Sequence, residues 1–339
     1  MTTTDPANDP RARAARDWAA AQLRLQQPEF APASADASFR RYFRISEGAR
    51  SWVVMDAPPQ QEDCRPFLHV AALLHEAGLN APVIHAQDLE RGFLLLSDLG
   101  RQTYLNVIDA GNAEALFSDA IDALIHWQQA SRPGQLPPYD EALLRRELAL
   151  FPDWYVARHL QRELMPAQAD AWRETCDVLV SRALAQARVY VHRDYMPRNL
   201  MIATPAVDGR SPSQPGVLDF QDAVYGPIGY DVVSLFKDAF LSWPEARVHE
   251  WAQRYWQRAR AAGLPVPDAL PDFMRDFDFM GVQRHLKVLG IFARINYRDG
   301  KPHYLKDTPR FIGYVREVAA RYPELAGLLR LFDELGLHA

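Results

Sequence analysis

The residues able to do chemistry are concentrated between Val189 and Leu235. His192-Arg193-Asp194-Tyr195-Met196-Pro197-Arg198-Asn199-Leu200 places an amide five residues after a carboxylate, and Val217-Leu218-Asp219-Phe220-Gln221-Asp222 adds a second carboxylate after a short apolar run. Phosphoryl transfer from ATP requires one group to orient the attacking hydroxyl and two oxygen ligands for a magnesium ion bridging the phosphates. Asp194 is suited to the first role, and Asn199 and Asp219 to the second. A His-x-Asp on its own is usually a turn closed by its own carboxylate. The three groups together, each beside a short apolar run, make the catalytic reading the better one. His192, next to such a loop, is read as a brace for backbone.

The elements that must position these groups are short. Val189-Tyr190-Val191 leads into His192, and Asn199 to Ile202 forms a second apolar run. Pro197 between them lacks a backbone donor and disfavours helix at Met196, so the polar residues fall on a tight loop joining two strands. A polar insert from Thr204 to Pro215 then turns the chain back to Val217, which brings the two loops side by side.

His-x-Asp-x4-Asn followed by Asp-Phe-x-Asp resembles the Brenner and metal motifs of the aminoglycoside phosphotransferase and choline kinase group. The fuller wording, His192 to Met201 and Leu218 to Ala223, resembles more narrowly the anomeric N-acetylmuramate/N-acetylglucosamine kinases of bacterial cell-wall recycling. The likeness runs from Ala37-Ser38-Phe39-Arg40-Arg41-Tyr42 to Gln283-Arg284-His285-Leu286-Lys287 and beyond. It implies an α+β, protein-kinase-like, two-lobed fold, with a small β-rich N-lobe over residues 1–98 and a larger, mostly helical C-lobe over residues 99–339. It also implies ATP and Mg2+ as cofactors and an amino sugar phosphorylated at its anomeric hydroxyl. Two other readings stay open: a kinase of the same fold acting on an aminoglycoside, choline or homoserine-like acceptor, and a non-catalytic pseudokinase that serves as a binding module.

Composition narrows the classes. A net charge of -5 argues against a partner that needs a broad positive surface, whether nucleic acid or an anionic membrane. Cys64 and Cys176 are the two cysteines and form no Cys-x-x-Cys pair, so neither a zinc site nor a disulfide framework is indicated. Both fall among apolar positions of predicted helices, where a buried, reduced thiol is expected. No apolar run approaches the ~20 residues of a membrane span, and Met1 to Pro10 is polar, so a cytoplasmic location is expected. The chain lacks a Gly-x4-Gly-Lys loop, a Gly-x-Gly-x-x-Gly after a strand, His-Glu-x-x-His and a Gly-x-Ser-x-Gly elbow.

Along the small lobe, Asp9-Pro10 is a helix start, with Ala14, Trp18, Ala21 and Leu25 at helical spacing and Arg11, Arg13 and Arg16 on a solvated face. Tyr42 to Ile45 and Trp52 to Met55, joined at Glu47-Gly48, alternate as a hairpin with Phe43 and Ile45 inward. This reads as the hairpin that covers nucleotide phosphates, with Ser38 in its loop. The first lysine is Lys237, so no small-lobe lysine is available to hold phosphates. Arg44, or failing it Arg41, is the expected replacement, because a guanidinium binds phosphate oxygens through a fork of donors. Phe67, Val70, Ala71 and Leu74 predict a helix closed by Gly78. Pro82 to Ile84 and Phe93 to Leu96 read as strands. Ser97-Asp98-Leu99-Gly100 is then the hinge in the resembled fold, with Ser97 and Leu99 the candidates for nucleotide contact.

Beyond Gly100 the pattern turns helical, with Leu116 to Ile125 and Trp172 to Ala183 as core helices. Trp154, Tyr155 and His159 are candidate acceptor-wall residues on the resemblance, although aromatics at that spacing commonly form core. Asp231 follows Gly226-Pro227-Ile228-Gly229-Tyr230 and is read as a structural carboxylate that caps a helix carrying Val232 to Phe240 and receives donors from the catalytic loop. Asp222 either adds charge near the metal or holds its loop. Arg294, Arg298, Lys301, Lys306 and Arg310 stand against only Asp299 and Asp307, a surface that would attract a sugar carboxylate and repel a cationic aminoglycoside if it faces the cleft.

Overall fold

A computed structural model describes residues 9–34, 39–202 and 215–338. Ser38 and most of the polar insert that begins at Thr204 lie outside the described residues. In chain order the first elements are α1 (Pro10–Leu23), β1 (Glu29–Ser34), β2 (Arg41–Glu47), β3 (Arg50–Asp56), α2 (Arg65–Glu76), β4 (Ile84–Asp88) and β5 (Phe93–Ser97). There follow α3 (Tyr104–Val107), α4 (Ala113–Gln129), α5 (Glu141–Leu148), a π-helix (Phe151–His159), α6 (Pro166–Ala185) and β6 (Arg188–Val191). The chain continues through β7 (Leu200–Met201), β8 (Gly216–Val217), β9 (Val224–Pro227), α7 (Tyr230–Phe236) and α8 (Glu245–Ala261). It closes with α9 (Leu270–Asp299), α10 (Thr308–Ala319) and α11 (Ala326–Leu335). No helix among the described residues is long and apolar enough to cross a membrane.

Two compact units form, one from Met1–Ala120 with Arg198–Asp222 and the other from Ile121–Pro197 with Ala223–Ala339. The first is built on a five-stranded antiparallel sheet of order β1-β2-β3-β5-β4. The hairpin β2–β3 turns at Gly48, whose φ of 62° is left-handed and suits glycine. Phe43 and Ile45 point inward as their alternation predicts, and with Val54, Phe93 and Leu95 they meet Ala12, Ala15, Trp18 and Ala19 of α1. Asp9 caps α1 by accepting from the N–H of Arg11 at 2.9 Å and of Ala12 at 3.2 Å. Arg11 differs from the solvated face expected of it: its Nε donates to the fully buried Asp56 at 2.6 Å. Strand β4 begins at Ile84 rather than Pro82, since a proline supplies no ladder donor.

The second unit is mostly helical, with the ribbon β6–β9 leading into the loop that begins at His192. Its long helix α9 is buried from Phe277 to Leu289 almost without interruption and carries charged side chains inward at Arg284 and Lys287. Buried charges are costly unless partners neutralise them, and Lys287 finds its partner in Glu147. Helix α7 ends at Phe236, so Phe240 stands beyond it instead of on it. Both cysteines are free and buried, and burial pushes the Cys176 thiol up to about 12.

Candidate active site

In the first unit, strands β7 and β8 form a two-stranded ribbon, Leu200 opposite Val217 and Met201 opposite Gly216. The N–H of Leu218 donates to the carbonyl of Asn199 at 2.9 Å, which fixes Asn199 beside the residue preceding Asp219. The consequence is a direct side-chain contact: Asn199 Nδ2 donates to Asp219 Oδ2 at 3.4 Å. Further bonds anchor the ribbon, from Val217 N–H to the Asn80 carbonyl at 2.8 Å and from Ile202 N–H to that of Gln102 at 2.9 Å. A Cβ on Gly216 would lie 2.9 Å from Leu99 Cδ1 and 3.0 Å from Met201 Cβ, so glycine is what lets Leu99 approach the ribbon this closely.

Asp219 has φ of 63°, a left-handed conformation that aspartate tolerates better than most residues and that costs about 1 kcal/mol. The turn is held on both sides of the strain. Phe220 is fully buried with its ring 4.6 Å from that of Phe67 on α2, and Gln221 Nε2 donates to Asp219 Oδ1 at 3.0 Å and to Asp222 Oδ2 at 3.2 Å. One amide oxygen and one carboxylate suit a hard cation such as Mg2+, which takes few protein ligands and completes its shell with water and phosphate oxygens.

These residues floor a cavity of about 430 Å³ lined by side chains that include Val53, Phe67, Leu96, Leu218, Asn199 and Asp219, with Ser97, Leu99 and Arg44 on its wall. Ser97 is tied to Val83 by a reciprocal pair, its N–H donating to the Val83 carbonyl at 2.9 Å and its Oγ accepting the Val83 N–H at 2.8 Å. Arg44 spends its donors on the segment after β5. Its Nε and Nη2 hold Asp98 at 2.6 and 2.9 Å, and Nη2 also reaches the Gly100 carbonyl at 2.7 Å. Arg41 pairs with Asp9 and donates to Asp56 through Nε at 3.0 Å, fastening α1 to the sheet.

The arginine that approaches Asp219 is Arg40, whose place in the sequence does not single it out. Its guanidinium lies 3.2 Å from Glu62 and 4.0 Å from Asp219 and is mostly buried. Burial alone would lower its pKa, but the negative charges around it, among them Glu62, Asp219 and Asp222, more than offset that and raise it. An arginine paired with a glutamate in the small unit is the arrangement that the missing lysine left open. The signal was present in the run Phe39-Arg40-Arg41-Tyr42-Phe43-Arg44, but three arginines on a short stretch cannot be told apart without their partners.

In the second unit, His192-Arg193-Asp194 leaves β6 and is gripped from behind by Asp231, which accepts the N–H of His192 at 2.6 Å and of Arg193 at 2.9 Å. Gly229, not Asp231, occupies the N-cap position of α7, so this carboxylate serves the His192–Asp194 loop instead of its own helix. Burial pushes its pKa up to about 7 despite those two donors. His192 is buried and its Nδ1 accepts the N–H of Asp194 at 3.3 Å, the bracing expected of it. Arg193 takes a left-handed φ of 75° and turns its guanidinium to Glu147 at 2.5 Å.

Glu147 is the hub of this unit's polar core. Lys287 Nζ lies 2.9 Å from its Oε1, while Tyr139 and, at 3.2 Å, Gln283 donate to its Oε2. Lys287 Nζ also donates to Tyr230 Oη at 2.9 Å. Burial would raise the Glu147 pKa, but Lys287 and Arg193 overcome it and hold the carboxyl at about 2. Lys287 in turn is penalised by burial yet kept protonated by Glu147. No sequence rule links Glu147, Arg193 and Lys287, because their partnership is made by folding between residues distant along the chain.

Of the acceptor-wall candidates, Tyr155 is buried between Phe151, at 5.7 Å and stacked, and His159, at 5.0 Å. His159 Nδ1 sits 3.2 Å from Tyr297 Oη, and Trp154 is half-buried.

A family model described as the phosphotransferase enzyme family matches residues 29–273. The chain belongs to that family. This phosphotransferase is 62% identical over 307 residues to the N-acetylmuramate/N-acetylglucosamine kinase of Pseudomonas aeruginosa, covering 91% of this chain and 88% of the relative. It is 59% identical to the protein of that name from Pseudomonas putida, covering 89% of this chain and 87% of the relative. Among solved structures, the choline kinase LicA of Streptococcus pneumoniae superposes with a TM-score of 0.62 at 11% identity, over 91% of this chain and 99% of that one. The phosphotransferase therefore shares the kinase-like fold of these enzymes, a small antiparallel sheet followed by a mostly helical remainder.

Proposed function

We propose that this phosphotransferase is an ATP-dependent kinase that phosphorylates the anomeric hydroxyl of N-acetylmuramate and N-acetylglucosamine. The observation that carries the reading is the 62% identity, over nine-tenths of the chain, to a curated kinase named for these two sugars. In this reading residues 1–98 cover the nucleotide and residues 99–339 supply catalysis and acceptor binding, in the cytoplasm.

The cavity floored by Asn199 and Asp219 is the nucleotide site, its apolar wall of Val53, Leu96 and Leu218 receiving the adenine and the Ser97–Leu99 main chain meeting the ring edge. Arg40 holds the phosphates, taking the place of the absent lysine, and Arg44 sets the shape of the hinge through Asp98. Asn199 and Asp219 would hold magnesium, which would neutralise charge on the nucleotide phosphates. Asp194 accepts the proton of the attacking sugar hydroxyl. The loose transition state demands little covalent chemistry, so fixed positions and charges supply most of the acceleration. Asp231 and His192 hold the backbone from His192 to Asp194, which supports that positional role.

The test is ATP turnover against a panel of N-acetylmuramate, N-acetylglucosamine, an aminoglycoside, choline and homoserine. We expect both amino sugars to be used, with Asp194→Asn lowering kcat by about 10³-fold or more while nucleotide affinity stays within a factor of three. Preference for another acceptor would replace the sugar reading, and no turnover with any acceptor would favour a binding module.

A further inference from the structure

Helix α9 presents Lys287, Gly290, Arg294 and Tyr297 at i, i+3, i+7 and i+10, which is one face of the helix. The segment leading through the π-helix lies along this face. A Cβ on Gly290 would stand 2.3 Å from the Leu150 carbonyl oxygen, so the two backbones touch there, and Tyr297 meets His159 at 3.2 Å. At the other end Lys287 bonds Glu147 and lies within the electrostatic reach of Asp194. Arg294 stands between these points, ~10 Å along the helix from Lys287.

Among the described residues no carboxylate pairs with Arg294, although Asp299, itself held by Arg298, lies within electrostatic reach. Arg294 is half-buried, its Nε is fully enclosed without a hydrogen-bond partner, and it makes no ion pair among the described residues. The two other arginines of the basic segment have carboxylate partners: Arg298 Nε sits 2.7 Å from Asp299, and Arg310 Nη2 sits 3.2 Å from Asp307. Burial lowers the pKa of Arg294 and the like charge of Arg298 lowers it further, against an opposing pull from Asp299. A buried donor left unsatisfied costs stability, and its retention is explained when a ligand completes it.

We propose that Arg294 is the specificity-determining residue of the acceptor site, binding the carboxylate of the 3-O-lactyl group that N-acetylmuramate has and N-acetylglucosamine lacks. The inference rests on the sugar-kinase reading above. The two sugars share the 2-acetamido group and the anomeric hydroxyl, so a contact at the lactyl carboxylate is the feature that tells them apart. That carboxylate projects from C3, away from C1, and matches a guanidinium set apart from the Asp194 end of the site. The planar fork of arginine pairs with a carboxylate through two parallel bonds, a geometry lysine does not reproduce.

The experiment compares Arg294→Met, Arg294→Lys and the unaltered enzyme in steady-state kinetics with ATP and each sugar separately. Arg294→Met is expected to lower kcat/KM for N-acetylmuramate by about 10- to 100-fold, chiefly through KM, and to leave N-acetylglucosamine within about twofold. Arg294→Lys is expected to recover part of the loss. Turnover of N-acetylglucosamine reports that each variant is folded. Equal losses on both sugars, or no loss on either, overturn the assignment of Arg294 while leaving the kinase reading intact. An unaltered enzyme that uses neither sugar overturns that reading and this inference with it.

Discussion

Replacing Glu147 with glutamine tests whether the buried charge cluster sustains the catalytic loop. The substitution keeps size and shape but removes the anion that Arg193 approaches at 2.5 Å and Lys287 at 2.9 Å, and it points an amide donor at one of the groups now donating to Glu147. Breaking a buried pair by deleting one partner costs about 3–5 kcal/mol, because the remaining charges lose their counter-ion without regaining water. An independent route gives a similar size: a carboxyl held at about 2 against an ordinary 4.5 contributes about 3 kcal/mol at neutral pH. The sign follows from the depressed folded-state value. The contribution is fully present above pH 4.5 and is lost as pH falls towards 2. Urea denaturation of Glu147→Gln at pH 7 should show the loss, and adding Lys287→Met should restore part of it by removing an orphaned cation. Turnover should fall more than nucleotide affinity, since Arg193 immediately precedes Asp194. A loss below about 1 kcal/mol, or a double variant no more stable than the sum of the singles, would refute the reasoning.

Two further outcomes follow from the same geometry. Arg40→Ala should raise KM for ATP by about 10- to 100-fold and leave the sugar KM nearly unchanged, whereas unchanged ATP kinetics would remove Arg40 from the phosphate site. Asp231, pushed up to about 7 by burial, keeps a proton that the unfolded chain has already lost, so its contribution to stability declines as pH rises through 7. The difference in unfolding free energy between the unaltered protein and Asp231→Asn should therefore shrink by a few kcal/mol between pH 4 and pH 8; a flat difference would show that the carboxyl is ionised throughout.

Local chemistry made much of this fold legible in advance. Asp9 before Pro10 caps α1 because a short acceptor followed by a donor-free residue suits a helix start, and Phe43 and Ile45 face the core because alternation fixes the faces of a strand. The pairing of Asn199 with Asp219 was also readable, since a proline-limited loop and two short apolar runs leave few ways to pair. What escaped notice depends on contacts between residues distant in sequence. Arg44 is taken up by Asp98, Arg41 by Asp9 and Asp56, and Arg40 by Glu62, and none of those partners is marked by spacing. Tyr155 illustrates the opposite difficulty: its aromatic spacing fitted both a sugar-binding wall and a core, and its stacking on Phe151 shows that most of its surface is spent on packing.

The most direct measurement is phosphorus NMR of the product formed from N-acetylmuramate and ATP. The account predicts a sugar phosphate whose phosphorus couples to the anomeric proton and whose formation is abolished by Asp194→Asn. Phosphate appearing on the exocyclic C6 hydroxyl, or persisting undiminished in that variant, would contradict it.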